Sequence, residues 1–133
     1  NQVGNHTVRT DASGALGDDS GASPKKLLLV SLAGCTGVDV ASLLKKMRVD
    51  YDTYEMEVEA DLTEEHPRVY SEIRLIYRIL GENLDRAKVQ KAVNLSLERY
   101  CGVSAMLQKN CPIKFRIEYG DASEPVSWEV KGG

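Results

Sequence analysis

The sequence is short of the residue types that build zinc sites, nucleic-acid surfaces and membrane spans. Its two histidines are His6 and His66, and its three cysteines form no Cys-x-x-Cys pair, which argues against a structural zinc site. The net charge of −3 provides no basic surface for nucleic acid. The longest mainly apolar stretch, residues 27–33, is far shorter than the roughly 20 residues that span a bilayer, and no basic segment precedes it as in a secretory signal. We therefore expect a cytoplasmic protein whose thiols are reduced.

Length and composition predict one globular domain. At 133 residues, with 42% hydrophobic and 28% charged residues, the chain can bury a core of ordinary size. We expect residues 1–133 to form a single domain. The chain begins at Asn1 without an initiator methionine, and we expect its N-terminal segment to be incomplete.

A long helix is predicted over residues 24–47. Ser23 is a suitable N-cap, Pro24 fits the first helical position, and apolar residues follow at once. The first half of this helix is apolar on every side, which predicts burial all round. A monomer of this size has difficulty covering such a helix, so the pattern favours a partner subunit.

Alternating patterns predict strands on both sides of this helix. Residues 6–11 suit a short strand, and residues 54–62 alternate apolar with acidic side chains. Residues 69–80 form a second alternating strand, in which Arg74 and Arg78 can face those acidic residues. This charge complementarity favours antiparallel pairing.

Two helices and a closing strand are predicted in the second half of the chain. Residues 85–100 form an amphipathic helix, residues 103–107 form a shorter one, and residues 113–119 alternate as a strand. One face of the longer helix carries its apolar residues: Val89, Ala92, Val93, Leu97 and Tyr100. The tail from residue 121 is polar apart from three residues and predicts an edge strand or a frayed end. The three apolar residues are Val126, Trp128 and Val130.

Cys35 lies in the long apolar helix with polar and small neighbours. A single cysteine in such a helix is more often a small buried hydrophobic residue than a reactive one. Ser31 and Asp39 lie four residues to either side and share its helical face. The flanking glycines, Gly34 and Gly37, allow a substrate or another backbone to approach the thiol. These features favour a site at Cys35 without establishing one.

The other two cysteines differ in their surroundings. Cys101 follows one predicted helix and precedes a short one, and thiolates are stabilised near helix N-termini. The alternative for Cys101 is a residue at a helix end that merely packs. Cys111, beside Pro112, has no comparable setting, and we interpret it as uninvolved. Only the tertiary fold can bring Cys101 to Cys35, because the two are far apart in sequence.

Two segments around these cysteines resemble the motifs of a known family. Residues 23–40, with Ala33-Gly34-Cys35-Thr36 at their centre, are similar to the first cysteine motif of the OsmC/Ohr family. Residues 99–104 resemble its second cysteine motif. The resemblance extends over residues 8–119 and is to the OsmC-like branch of the family.

The resemblance implies an α+β fold, an intertwined homodimer that packs two long central cysteine-bearing helices against antiparallel sheets. It also implies a thiol-dependent peroxidase that reduces organic hydroperoxides to alcohols at the subunit interface. By the same resemblance, Cys35 is the peroxidatic thiol and Cys101 the resolving thiol, and a lipoyl-type dithiol reduces the disulfide between them. This chemistry requires no metal and no bound cofactor.

Three further residues are expected to support this site. Efficient peroxidases of the family place an acidic residue directly after the proline of the first motif, where it helps to hold an arginine against the thiol. This chain has Lys25 at that position. A thiolate needs positive charge nearby, and the candidates for it are Lys25 and Arg9. Asp39 is the acidic candidate on the helical face of Cys35.

Two other functions remain open at this point. A non-catalytic OsmC-like dimer would bind an apolar small molecule, such as a fatty acyl chain, in the pocket between its subunits. A thiol-based redox sensor would form the disulfide but turn over slowly with any dithiol. Peroxide reduction requires both Cys35 and Cys101, whereas ligand binding should survive the Cys35→Ser substitution.

Overall fold

The structure is a computed structural model that describes residues 1–120 and 128–130. The chain divides into two compact units, Asn1–Ser31 (unit 1) and Leu32–Gly133 (unit 2). Helix α1 (Pro24–Lys46) starts in unit 1 and continues into unit 2. The described residues combine helices with β-sheets, which confirms the predicted α+β class.

Unit 1 begins with a short antiparallel hairpin. Strand β1 (Gln2–Val3) pairs with β2 (His6–Thr7). Gly4 in the connection has a φ of 58°, a left-handed conformation that glycine adopts without strain. The strand predicted over residues 6–11 therefore ends early, because the chain leaves the hairpin after two residues and enters a loop.

Asp11 organises that loop. Thr10 pairs with Ala22 in an isolated parallel bridge. The Asp11 carboxylate accepts hydrogen bonds from the backbone N–H of Ser20 at 3.0 Å and from the Ser20 hydroxyl at 2.7 Å. Together with bonds from two other backbone N–H groups, these bonds lower the pKa of Asp11 to about 2.

Helix α1 confirms the prediction for residues 24–47. Within unit 2, one face of α1 is buried at every fourth residue: Leu32, Thr36, Val40 and Leu44. Three apolar residues elsewhere on the helix are exposed: Leu28 by 47%, Val30 by 59% and Val38 by 70%. In the single chain only one face of α1 meets the core of unit 2, so burial of the helix all round, which was expected from a partner subunit, stays a prediction.

Unit 2 contains a four-stranded sheet in the order β3-β4-β5-β6. Its strands are β3 (Thr53–Leu62), β4 (Tyr70–Leu80), β5 (Ile113–Glu118) and β6 (Glu129–Val130). The pairing of β3 with β4 is antiparallel, as predicted, but β4 and β5 run parallel. The sheet is therefore mixed and not wholly antiparallel, because the helical segment between β4 and β5 forms a crossover connection.

Ion pairs join the exposed face of β3 to β4. Arg74 Nη1 lies 2.9 Å from an oxygen of Asp61, and Arg78 Nη2 lies 3.0 Å from an oxygen of Glu57. These contacts confirm the charge complementarity predicted from the sequence, and as exposed ion pairs they contribute little to stability. Leu62 was expected on the apolar face but is 45% exposed, because the register shifts between Asp61 and Leu62.

Strand β4 is the most deeply buried strand of the sheet. Its buried residues include Ile73, Leu75, Ile76, Tyr77 and Ile79. At the other side of β5, the predicted edge strand of the tail is present as β6, whose Val130 pairs with Lys114. Of the three apolar residues of that tail segment, Val126 lies outside the described residues.

Three helical pieces connect β4 to β5. They are α2 (Arg86–Leu95), one turn of π-helix (Ser96–Tyr100) and α3 (Gly102–Leu107). Asp85 caps α2 by accepting a hydrogen bond from the Lys88 N–H at 3.2 Å. The predicted apolar face is buried except at Tyr100, which is 52% exposed. The reason is the π-turn, whose i→i+5 hydrogen bonding widens the helix and shifts later residues off the α-helical face.

Candidate active site

Helix α1 places Cys35 and Asp39 one turn apart on the same side, as their four-residue spacing predicts. Both residues are half-buried, and Cys35 is a free thiol. Residues at this depth are shielded from bulk water but still reachable by a small molecule. The pair therefore has the access that a reacting thiol needs.

The two glycines near Cys35 differ in their surroundings. A Cβ at Gly37 would lie 3.3 Å from Met56 Cγ, and the Tyr54 hydroxyl donates to the Gly37 carbonyl at 3.3 Å. A Cβ at Gly34 would meet nothing within 4 Å. Side chains of β3 therefore approach helix α1 closely at Gly37, whereas the helix surface at Gly34 is open.

Cys101 is held at the N-cap of α3 and is 3% exposed. Its Sγ accepts a hydrogen bond from the Ser104 N–H at 3.4 Å. Burial raises the pKa of the Cys101 thiol, the Ser104 N–H opposes this effect, and the neighbouring Cys35 thiol adds to the increase. The stabilisation of the thiolate predicted from the helix N-terminus is therefore outweighed by burial.

The fold brings Cys35, Asp39 and Cys101 together. Their two sulfur atoms and a carboxylate oxygen all lie within 4.8 Å of one another. A disulfide bond measures about 2.05 Å, so the sulfurs need to approach by less than about 3 Å to form one. Structural zinc sites use four donors of this kind; this group supplies three, and we assign it no metal.

A chain of buried hydroxyl groups ends at Asp39. The Ser96 hydroxyl donates to Asp39 Oδ2 at 3.0 Å. Thr36 Oγ1 lies 2.8 Å from Ser96 Oγ and 2.6 Å from the Tyr77 hydroxyl. Each hydroxyl has one proton to donate. Because Ser96 uses its proton on Asp39, Thr36 must donate to Ser96, and Tyr77 must donate to Thr36.

Ser96 connects this chain to Cys101. Its carbonyl accepts the backbone N–H of Cys101 at 2.8 Å, which is the i→i+5 bond of the π-turn. Its hydroxyl bonds both Thr36 and Asp39 on α1. One fully buried serine therefore fixes the backbone position of Cys101 relative to the helix that carries Cys35.

Sequence reasoning misses the roles of Tyr77 and Ser96. The alternation of β4 predicts Tyr77 only as an apolar position. Ser96 stands between Leu95 and Leu97 beside the predicted apolar helical face. The available signal is weak: a tyrosine or serine among buried residues must find a hydrogen-bond partner, but the sequence does not identify it.

The remaining candidates belong to other parts of the chain. Arg9 and Lys25 belong to unit 1. The backbone of Arg9 packs closely against Gly21, where an added Cβ would come within 2.8 Å of the Arg9 carbonyl oxygen. Their supporting roles stay predictions. Ser31, also in unit 1, donates its hydroxyl to the carbonyl of residue 27 at 2.8 Å. Cys111 is 6% exposed, burial raises its pKa, and it is not part of the group around Cys35.

The chain is similar to known proteins over most of its length. The family model described as OsmC-like protein matches residues 17–116. Protein YhfA of Escherichia coli strain K12 is 38% identical over 100 residues, which cover 75% of each chain. A solved structure of a hypothetical protein from Aquifex aeolicus VF5 aligns with a TM-score of 0.68 at 34% identity, over 79% of this chain and 80% of that one.

A more distant likeness is to the organic hydroperoxide resistance protein OhrB of Bacillus subtilis. That structure aligns with a TM-score of 0.59 at 23% identity, over 75% of this chain and 73% of the OhrB chain. At this level of identity the likeness concerns the fold.

Proposed function

Because the chain belongs to the OsmC-like protein family, we propose that it is a thiol-dependent peroxidase that reduces organic hydroperoxides to alcohols. The OsmC/Ohr family is related to peroxide-resistance proteins. The observation that supports this function best is the pair of reduced thiols, Cys35 and Cys101, whose sulfur atoms lie within 4.8 Å.

The exposure of the two thiols supports different roles for them. Cys35 is half-buried and can meet a hydroperoxide, so we assign it the peroxidatic role. Its thiolate attacks the O–O bond, the alcohol leaves after taking up a proton, and a sulfenic acid remains on Cys35. Cys101 is 3% exposed and has little access to anything but its neighbours, which suits the resolving thiol.

The cycle closes with a disulfide and its reduction. Cys101 condenses with the Cys35 sulfenic acid, which forms the Cys35–Cys101 disulfide and releases water. An external dithiol of the lipoyl type then reduces the disulfide by exchange and is itself oxidised. We propose Arg9 and Lys25 as the sources of positive charge for the Cys35 thiolate. Lys25→Met should slow alkylation of Cys35 at pH 7, and an unchanged alkylation rate would remove Lys25 from the proposal.

We further propose that residues 1–133 form one OsmC-like domain that works as a cytoplasmic homodimer. OsmC/Ohr proteins are commonly homodimers, and the exposed apolar residues of α1 are suited to a subunit interface. By length and apolar composition, α1 is also the one helix of the described residues that could cross a membrane. This is weak evidence for a membrane span, because core helices of soluble proteins meet the same criterion.

The decisive experiment measures peroxide consumption with a dihydrolipoyl reductant in wild type and three single variants. Cys35→Ser should abolish turnover of cumene hydroperoxide. In the absence of the dithiol, Cys101→Ser should consume about one equivalent of peroxide per Cys35 and accumulate the Cys35 sulfenic acid, whereas wild type should accumulate the disulfide, because the variant lacks the resolving thiol. Cys111→Ser is the matched control and should retain wild-type turnover. Absence of turnover in fully reduced wild type would refute the peroxidase.

The same variants test the rival function of an apolar-ligand binder. That hypothesis requires a fluorescent fatty acyl probe to bind the dimer with equal affinity in wild type and Cys35→Ser. One surface depression on unit 2 has a volume of about 670 Å³ and is lined in part by Lys45, Arg48 and Tyr51. Its lining also includes the apolar residues Val38, Ala41 and Val49, so it favours neither kind of ligand. We retain the peroxidase as the proposed function because the paired thiols support it.

A further inference from the structure

The buried hydroxyl chain and Asp39 take no part in the cycle described so far, although they lie beside both thiols. Buried polar groups normally have a structural or chemical reason to be retained. Tyr77, Thr36 and Ser96 are each exposed by no more than 1%, and their hydrogen bonds converge on a single carboxylate. The step of the cycle that lacks a proton acceptor is the attack by Cys101.

Cys101 needs help to become a nucleophile. The thiolate is the species that attacks sulfur, and burial disfavours the thiolate form of a cysteine. Burial raises the pKa of Cys101, and the adjacent Cys35 thiol adds to this effect. The carboxylate that the fold places within 4.8 Å of both sulfurs is that of Asp39.

The hydroxyl chain orients the Asp39 carboxylate. Its last member, the Ser96 hydroxyl, donates to Asp39 Oδ2 at 3.0 Å, and hydroxyls that donate in series polarise one another. Within the described part of unit 2, Asp39 is in no ion pair that would neutralise it. Among the described residues of unit 2, the titratable groups that interact with it include the two thiols and the phenols of Tyr54 and Tyr77. Burial raises the pKa of both phenols, so they remain protonated donors.

We infer that Asp39 is the proton carrier of the resolving step, acting between the Cys101 thiol and the Cys35 sulfenic acid. This inference rests on the proposed peroxidase function. The Asp39 carboxylate takes the proton from Cys101 as its sulfur attacks Cys35. The S–S bond forms, the S–O bond of the sulfenic acid breaks, and the same proton joins the leaving hydroxide to give water. Asp39 ends the step ionised, and no further oxidant or reductant is consumed.

The test substitutes Asp39→Asn and follows the Cys35 sulfenic acid with a cyclic 1,3-dione trap after one equivalent of cumene hydroperoxide. The asparagine carbonyl still accepts the Ser96 hydroxyl, so the substitution preserves the hydroxyl chain. General acid–base catalysis typically contributes about 10²–10⁴-fold. We therefore expect the sulfenic acid to persist at least tenfold longer than in wild type, while its rate of formation changes less than about threefold.

A pH profile separates proton transfer from simple packing. In Asp39→Asn, disulfide formation should accelerate about tenfold per pH unit between pH 6 and 8, because ionisation of Cys101 then has to supply the thiolate. Wild type should show a much flatter profile. Asp52→Asn, an exposed carboxylate outside the site, is the matched control and should behave as wild type. A wild-type lifetime of the sulfenic acid in Asp39→Asn would overturn the inference.

A second measurement keeps the inference testable if the protein consumes no peroxide. The Cys35–Cys101 disulfide is formed with diamide, and its reduction by dithiothreitol is followed by the release of free thiols. As the dithiothreitol thiol attacks Cys35, its proton passes to the Asp39 carboxylate and from there to the Cys101 sulfur that leaves the disulfide. Asp39→Asn should therefore slow this reduction at least tenfold. Equal rates for wild type and variant would refute the role of Asp39. If Asp39→Asn slows the reduction of the disulfide but the wild type consumes no peroxide, only the peroxidase function would be refuted.

Discussion

Replacing Thr36 by valine removes the middle hydroxyl of the buried chain and leaves the Tyr77 hydroxyl without an acceptor. Tyr77 is 1% exposed, so water does not readily replace the lost partner. A buried polar group without a partner costs about 1–3 kcal/mol, and the lost bond between Thr36 and Ser96 adds about 1 kcal/mol. We expect Thr36→Val to lower the free energy of unfolding by about 2–4 kcal/mol.

The substitution Tyr77→Phe should have opposite effects on stability in wild type and in the Thr36→Val variant. In wild type it removes one hydrogen bond and leaves no donor unsatisfied, because Thr36 still donates to Ser96. Its expected effect there is a loss of about 0.5–1.5 kcal/mol. In the Thr36→Val background it removes the unsatisfied hydroxyl. The double variant should therefore be more stable than Thr36→Val by about 1 kcal/mol, so one substitution changes sign between backgrounds.

The measurement is urea-induced unfolding of the four proteins under reducing conditions, at one protein concentration because the stability of an oligomer depends on it. The m-value should stay constant, so that shifts in midpoint report stability. Thr53→Val, at an exposed position of β3, is the control for the chemical change and should lie within about 0.5 kcal/mol of wild type. Equal destabilisation by Tyr77→Phe in both backgrounds would refute the claim that the buried Tyr77 hydroxyl depends on Thr36 as its partner.

Three further predictions concern other parts of the molecule. Val38→Glu places a charge on the exposed apolar side of α1 and should shift sedimentation from dimer to monomer; a dimer unchanged at micromolar concentration would exclude this side from the interface. Asp85→Ala removes the cap that accepts the Lys88 N–H and should lower stability by about 1 kcal/mol in thermal unfolding, whereas Asp85→Asn should recover most of it. The pKa of Asp11 is lowered to about 2, so its contribution is present above the unfolded-state value near pH 4 and is lost as the pH falls through 2. Asp11→Asn should therefore be less stable than wild type at pH 7 but equal to it near pH 2, and a difference independent of pH would contradict this cause.

Elements with a strong local signal were predictable from the sequence. The bounds of α1 follow from Ser23-Pro24 and the apolar run, and the pairing of β3 with β4 follows from alternation and from charges on opposite strands. Both signals depend on residues that are neighbours along the chain or across one turn. The two cysteine motifs likewise led to the correct family, because each is a contiguous segment.

Features that depend on several elements at once were not predictable. Alternation in residues 113–119 indicates a strand but not its direction, so the parallel pairing of β5 with β4 was missed. The π-turn is a local widening of the helix that accompanies the contacts of Ser96 with α1. The spacing of apolar residues in the sequence does not predict it. The hydroxyl chain joins residues of α1, β4 and the π-turn, and each of them alone is an ordinary core residue.

Because of the π-turn, the number of residues between α2 and α3 determines whether Cys101 faces Cys35. Removal of one residue from this turn would convert it to a regular α-helical turn, which is the more common geometry. Every following residue would then rotate by about 100°, the angle per residue of an α-helix. Cys101 would no longer face Cys35, although the sheet and both helices would remain. A relative one residue shorter here would thus keep the architecture and lack the paired thiols.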